Sequence, residues 1–125
     1  MAQDPKPDFS GEFALNRPAC TLQGGAVEVR SAVLRIERAE PTVRIRATFN
    51  FESNHVDYTL EPSSLRWEGH ALLFTYQSDA PEAPMTMTWR YELDDSGRRL
   101  TATERMRGGG RDADNVWIFE RSDSR

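Results

Sequence analysis

Apolar side chains recur at every second position along most of this chain. Phe9, Gly11, Phe13 and Leu15 alternate with Ser10, Glu12 and Ala14. Val43, Ile45, Ala47, Phe49 and Phe51 alternate with Arg44, Arg46, Thr48 and Asn50. The same beat runs through Val56, Tyr58 and Leu60, through Leu72, Phe74 and Tyr76, and through Met87, Trp89, Tyr91 and Leu93. Successive side chains of a strand point to opposite faces, so this pattern demands sheet with one buried and one wetted face. It also accounts for a hydrophobic content of only 38%, because such strands need apolar residues at alternate positions alone. Residues 116–121 begin apolar on both faces, Val116 and Ile118 against Trp117 and Phe119. One of those faces must lie outside a barrel, which raises the expectation of a homodimer contact at the last strand.

Turn chemistry separates the runs. Ala39-Glu40-Pro41-Thr42 places a proline where a tight turn accepts it. Glu68-Gly69-His70 follows Trp67 with a glycine free to take a positive φ, and Asp94-Asp95-Ser96-Gly97 precedes the strand beginning near Arg99. Turn signals about 8–12 residues apart are the mark of a sandwich or a barrel. Two segments carry mixed signals. Residues 26–40 have apolar positions at helical spacing but also alternate as Val27/Val29 and Leu34/Ile36, with a phase slip near Ser31-Ala32. Residues 98–107 include Thr101 and Thr103, which favour a strand. Both segments are read as strands.

A chain of 125 residues is one domain by size. Its organisation reads as a disordered lead-in over 1–8, a folded domain over 9–121 and a polar tail over 122–125. One cysteine and two histidines exclude a disulfide framework, a cysteine-rich zinc site and an iron–sulfur cluster. A net charge of -4 disfavours nucleic-acid binding, whose footprint is basic and clustered. The longest purely apolar run is Ala71-Leu72-Leu73-Phe74, too short to span a membrane as a helix. No signal peptide is legible, so the expected compartment is the cytoplasm, or the periplasm or exterior for a mature form lacking its signal peptide. No phosphate-binding loop, dinucleotide fingerprint or nucleophile elbow occurs, and no cofactor is expected.

The motifs in order resemble a widespread group of small bacterial lipocalin-like, calycin-type barrel proteins of mostly unassigned function. The resemblance rests on Phe9-Ser10-Gly11-Glu12-Phe13-Ala14-Leu15-Asn16, Leu34-Arg35-Ile36, Trp67-Glu68-Gly69-His70-Ala71-Leu72 and Trp89-Arg90-Tyr91-Glu92-Leu93. Gly97-Arg98-Arg99-Leu100-Thr101 and Phe119-Glu120-Arg121 complete it. It covers nearly the whole folded chain and implies an all-β, single up-and-down antiparallel barrel of about eight strands. It further implies that Arg121 packs over Phe13, which stands where lipocalins carry a tryptophan, to plug one end of the barrel. Such a barrel is either filled by side chains or holds one small ligand.

The chemistry then has to come from inward aromatics and carboxylates. The expected inward set is Phe49, Phe51, Tyr58, Trp67, Phe74, Tyr76, Trp89 and Tyr91. All of these except Phe51 are candidates for binding a small hydrophobic or aromatic ligand, with tyrosine hydroxyls to orient it. Glu104 shares a face with Leu100 and Ala102, so an inward Glu104 would be desolvated, its pKa raised, and fit for acid–base work. The leading function is therefore binding of such a ligand. The alternative is a cofactor-independent barrel enzyme of isomerase or cyclase type using Glu104 and tyrosines. Either an ion pair with an inward arginine or a place at the solvated rim would make Glu104 structural. His55 and His70 fall at turns and offer no metal site, Cys20 is expected to be a buried inert thiol, and Arg44 and Arg46 are expected on the outer face.

Overall fold

The computed structural model describes residues 6–78, 84–108, 110 and 112–122. Residues 1–5 of the expected lead-in, 123–125 of the tail and the middle of the Ser78–Pro84 connection lie outside the described residues, as do Gly109 and Arg111. Nine strands form one antiparallel sheet: β1 (Gly11–Leu15), β2 (Ser31–Ala39), β3 (Thr42–Asn50), β4 (His55–Leu60), β5 (Arg66–Glu68), β6 (Ala71–Ser78), β7 (Met85–Leu93), β8 (Arg99–Gly108) and β9 (Ala113–Arg121). The spatial order is β4-β3-β2-β1-β9-β8-β7-β6-β5. Chain neighbours pair except β4 and β5, which end the sheet on its two sides, and β1 also pairs with β9, joining the two ends of the chain. The sheet curls around its buried face into the expected all-β, up-and-down barrel. It has nine strands rather than eight because the three-residue β5 forms its own short ladder with β6.

One expected strand is not formed. Residues 26–30 do not continue β2; Gly24–Glu28 is a short 3-10 helix, and β2 begins only at Ser31. The phase slip near Ser31-Ala32 thus marks a change of element. Two glycines before Ala26 remove the side chains that would have favoured pairing here.

The barrel differs at its two ends. At one end Phe13 is the cross-strand partner of Arg121, and the Arg121 guanidinium lies 4.6 Å over the Phe13 ring. Arg121 also donates to the backbone oxygens of Gly97 (2.9 Å), Ser10 (2.6 Å) and Asp8 (3.1 Å). Phe9, fully buried, packs 5.8 Å from Trp67, whose indole N–H donates to the Pro41 oxygen at 2.8 Å. Lys6 bonds the Gly69 oxygen and sits 5.5 Å over the Trp67 ring. The residues just before β1 therefore cross this end and close it. Ile36, Ile45, Leu72, Leu100 and Phe119 fill the space beneath.

The outward face is charged and laddered. Arg44 and Arg46 lie there as expected, both near Glu37, and Arg44 also reaches Glu61 at 3.1 Å. Exposed pairs of this kind add little stability each. Trp117 and Phe119 are the inward face of β9, yet Ile118 on the opposite face is also only 8% exposed. The segment after β1 runs along it: Asn16 N–H donates to the Ile118 oxygen, and Thr21 forms a bridge with Val116. The double apolar face thus reflects burial within the chain, which removes the exposed stripe on which a dimer contact was expected.

Candidate functional site

Three rows of inward side chains lead from the packed end to the open one. Across β7, β8 and β9 they read Tyr91–Ala102–Trp117, then Trp89–Glu104–Asn115, then Met87–Met106–Ala113. Opposite them stand Phe49 of β3 and Tyr58 of β4. Tyr58 is stacked on Phe49 at 5.8 Å, and Trp117 meets Phe49 edge-on at 5.0 Å. Between these walls is a cavity of about 890 Å³. That volume lies in the range of pockets that hold small organic ligands. Its mouth is rimmed by the 3-10 helix residues Gly24–Ala26 and by Val56 and Tyr76, two of the few large apolar residues that stand exposed.

A seam runs up one side. The sheet ends at β4 and β5, and no ladder joins them among the described residues. β5 pairs only with Ala71–Leu73 of β6, so among the described residues its ladder ends before Phe74. Val56, Tyr58 and Leu60 of β4 and Phe74 and Tyr76 of β6 line the cavity from the two sides of that seam.

Glu104 is the polar centre of the cavity. It is 7% exposed. Its Oε1 accepts hydrogen bonds from Asn115 Nδ2 and Trp117 Nε1, both at 3.1 Å. Burial pushes its pKa above the ordinary glutamate value, and the two hydrogen bonds pull partly the other way. No lysine, arginine or histidine lines the cavity among the described residues. The inward arginine that would have made Glu104 structural is therefore not among the described residues of its wall. Asn115 is fully buried, and its Oδ1 accepts from the Gln23 backbone N–H at 2.6 Å. Gln23 in turn accepts from the Asp114 N–H through its side chain, which ties the rim segment to β9.

Two tyrosines sit close to Glu104. Burial raises the pKa of both Tyr58 and Tyr91 above the usual tyrosine range, and the Glu104 charge adds to the rise. Both phenols stay protonated across the ordinary pH range. The Tyr91 hydroxyl is wholly buried and makes no well-formed hydrogen bond; the Tyr58 hydroxyl lies beside it.

The structure brings Phe49, Tyr58, Phe74, Tyr76, Trp89 and Glu104 together on the cavity wall, with Phe51 near them. Trp67 lies elsewhere, against Phe9 at the closed end. Tyr91 is one row below the wall, stacked on Trp89 at 5.9 Å. Sequence reasoning missed Asn115 and Trp117 as partners of Glu104. The available signal was their alternation in the last strand, but the register across the Arg107–Asn115 connection was not legible. Cys20 is half-buried rather than buried; its thiol reaches the Asn16 oxygen at 3.4 Å and accepts from the Ile118 N–H. His55 begins β4, 3.4 Å from Asp57, and His70 is exposed in the β5–β6 turn. No group of three metal-ligating side chains occurs among the described residues, and no helix is long and apolar enough to cross a membrane.

Topology and cavity together define a small antiparallel β-barrel protein, closed at one end and hollow at the other. No protein-family model matches the chain, and no curated protein does. Among solved structures it is similar to a "REP1-NXSQ fatty acid transporter", with 13% sequence identity and a TM-score of 0.47 over 93% of this chain and 97% of that one. A likeness so distant carries no argument about ligand or activity.

Proposed function

We propose that this protein binds a small hydrophobic or aromatic molecule inside the barrel. The observation that carries the reading is the cavity of about 890 Å³, walled by aromatic and methionine side chains around one polar cluster. A packed barrel of this strand number has no need of such a space. The exposed Val56 and Tyr76 at the mouth fit the same reading, since apolar surface left in water at a rim is repaid when a ligand covers it. Fluorescence titration with a neutral apolar probe such as N-phenyl-naphthylamine tests it, alongside native mass spectrometry of the purified protein. The expected result is saturable one-to-one binding. A probe that neither saturates nor is displaced by other apolar molecules would overturn the reading.

The order of motifs, and Arg121 lying over Phe13, support placing the chain among lipocalin-like barrels. A second reading is favoured by Glu104 itself. A buried carboxyl with a raised pKa, beside protonated tyrosines in an apolar cavity, has the equipment for proton transfer without a cofactor. An isomerase or cyclase type of reaction fits that equipment. Glu104→Gln then abolishes turnover while leaving binding of the neutral probe in place; unchanged turnover removes Glu104 from any mechanism.

A further inference from the structure

The sign of charge in the cavity narrows the ligand class. The described wall holds two carboxylates, Glu104 in its depth and Asp112 at its rim, and no cationic side chain. A ligand carboxylate, sulfate or phosphate would therefore enter a low-dielectric space with no counter-charge among the described residues and with Glu104 already there. Both the desolvation and the like-charge repulsion oppose that. The geometry around Glu104 favours the opposite ligand. Asn115 and Trp117 both donate to Oε1, which fixes the carboxyl group in place. Among the described residues Oε2 accepts no hydrogen bond and is left for a ligand donor. Trp89 is the direct cross-strand neighbour of Glu104, and its ring lies 6.3 Å from that of Trp117. Phe49 and Tyr58 complete an aromatic surround, and aromatic rings attract cations through their π-faces.

We propose that the cavity selects an apolar amine in its protonated form, with the ammonium group on Glu104 Oε2 among the rings of Trp89, Trp117 and Tyr58 and the hydrocarbon body toward Met87, Met106 and Phe74. This assignment rests on the ligand-binding reading given above and adds the chemical class of the head group. Methionine and aromatic side chains along the outer part of the cavity adapt to an alkyl or aryl body without polar demands. Asp112 at the rim adds a second negative charge on the path of entry.

Three ligands that share one tail and differ only at the head test it: decylamine, decanol and decanoate, each below its micelle concentration, measured by calorimetry or by displacement of the neutral probe at pH 7. The expected order is decylamine first, by about tenfold or more over decanol, and decanoate weakest. In Glu104→Gln the advantage of the amine over the alcohol disappears, because the carboxylate charge is gone while the glutamine carbonyl still accepts from Asn115 and Trp117. If decanol binds and decanoate equals or exceeds decylamine, the head-group assignment is overturned while the cavity reading stands. If none of the three binds, both fall. The wild-type ranking needs no variant, so a poorly folded Glu104→Gln protein leaves the test intact.

Discussion

Arg121 and Phe13 are cross-strand partners that also form a cation–π pair, the guanidinium 4.6 Å above the ring. The arginine is held there by three backbone oxygens from the β7–β8 turn and the segment before β1. One side chain thus ties the first strand, the last strand and a hairpin turn into a single lid over the closed end. Arg121→Met keeps much of the apolar stem but loses these bonds, and should lower stability by about 2–4 kcal/mol. The midpoint of urea unfolding measures it. A midpoint unchanged from wild type would mean that the lid contributes nothing to stability.

Gly11 is bound to the same arrangement. Its φ is +132°, and a Cβ built there would stand 2.5 Å from Arg121 Nη1. Gly11→Ala should therefore cost about 1–3 kcal/mol through backbone strain and collision together. The two substitutions share a cause, so their effects should not add. Gly11→Ala combined with Arg121→Met is expected to be less destabilised than the sum of the single variants. Strict additivity would separate the glycine from the arginine.

The buried Glu104 carries a pH signature. Its folded pKa is raised above the ordinary glutamate value, mainly by burial. The folded protein thus holds this proton to higher pH than the unfolded chain does. Stability falls as pH rises from the unfolded value through the folded one, and the loss is complete above that window. Glu104→Gln removes this term. The stability difference between wild type and Glu104→Gln should shift against wild type across that window and level off above it. The neighbouring titratable groups are Tyr58 and Tyr91, which ionise only at much higher pH and leave the window clear. Urea midpoints collected from acid to neutral pH measure it; a difference that does not change with pH would place Glu104 in contact with solvent.

The three tryptophans separate the two ends of the barrel spectroscopically. Trp89 and Trp117 line the cavity, whereas Trp67 packs on Phe9 at the closed end. A bound ligand should change the emission of wild type and of Trp67→Phe alike, and the change should shrink in Trp89→Phe. Trp117→Phe also removes a donor from Glu104 and should cost about 1–3 kcal/mol. A response lost in Trp67→Phe alone would put the ligand at the wrong end of the molecule.

The β7–β8 turn is held by one carboxylate. Asp94 accepts from Ser96 Oγ and from the backbone N–H groups of Arg98 and Arg99, and its pKa is lowered, chiefly by the Arg99 backbone bond. Its contribution is present above the unfolded aspartate value and is lost as pH falls through the lower folded one. In Asp94→Ala the amides of Arg98 and Arg99 should exchange with solvent faster, while those of β2 and β3 keep their protection. Equal exchange at both amides would show the carboxylate to be dispensable.

Strand content was legible because alternation is a local property: each of the runs around Phe13, Ile45, Tyr58, Phe74 and Trp89 needs only its own residues to reveal which face is buried, whereas the run around Phe119 is apolar on both. Arg121 over Phe13 was legible as well, through a family resemblance rather than through spacing. The sequence by itself determined an antiparallel sheet with an aromatic-rich buried face, and it put Glu104 on the same face as Leu100 and Ala102. Tertiary structure decided the rest. Whether those aromatics fill the barrel or line a cavity depends on how far the curl carries β4 from β6, and no local pattern encodes that distance. The same limit explains Trp67 and Tyr91. Both alternate inward like Trp89, but their row positions along the barrel, set by hairpin register, put Trp67 at the closed end and Tyr91 below the cavity floor. Register likewise brought Asn115 and Trp117 onto Glu104. The charge of the cavity followed from what curled inward, one deep carboxylate, and from the arginines that the pleat turned outward to meet Glu37, Glu61 and Glu120.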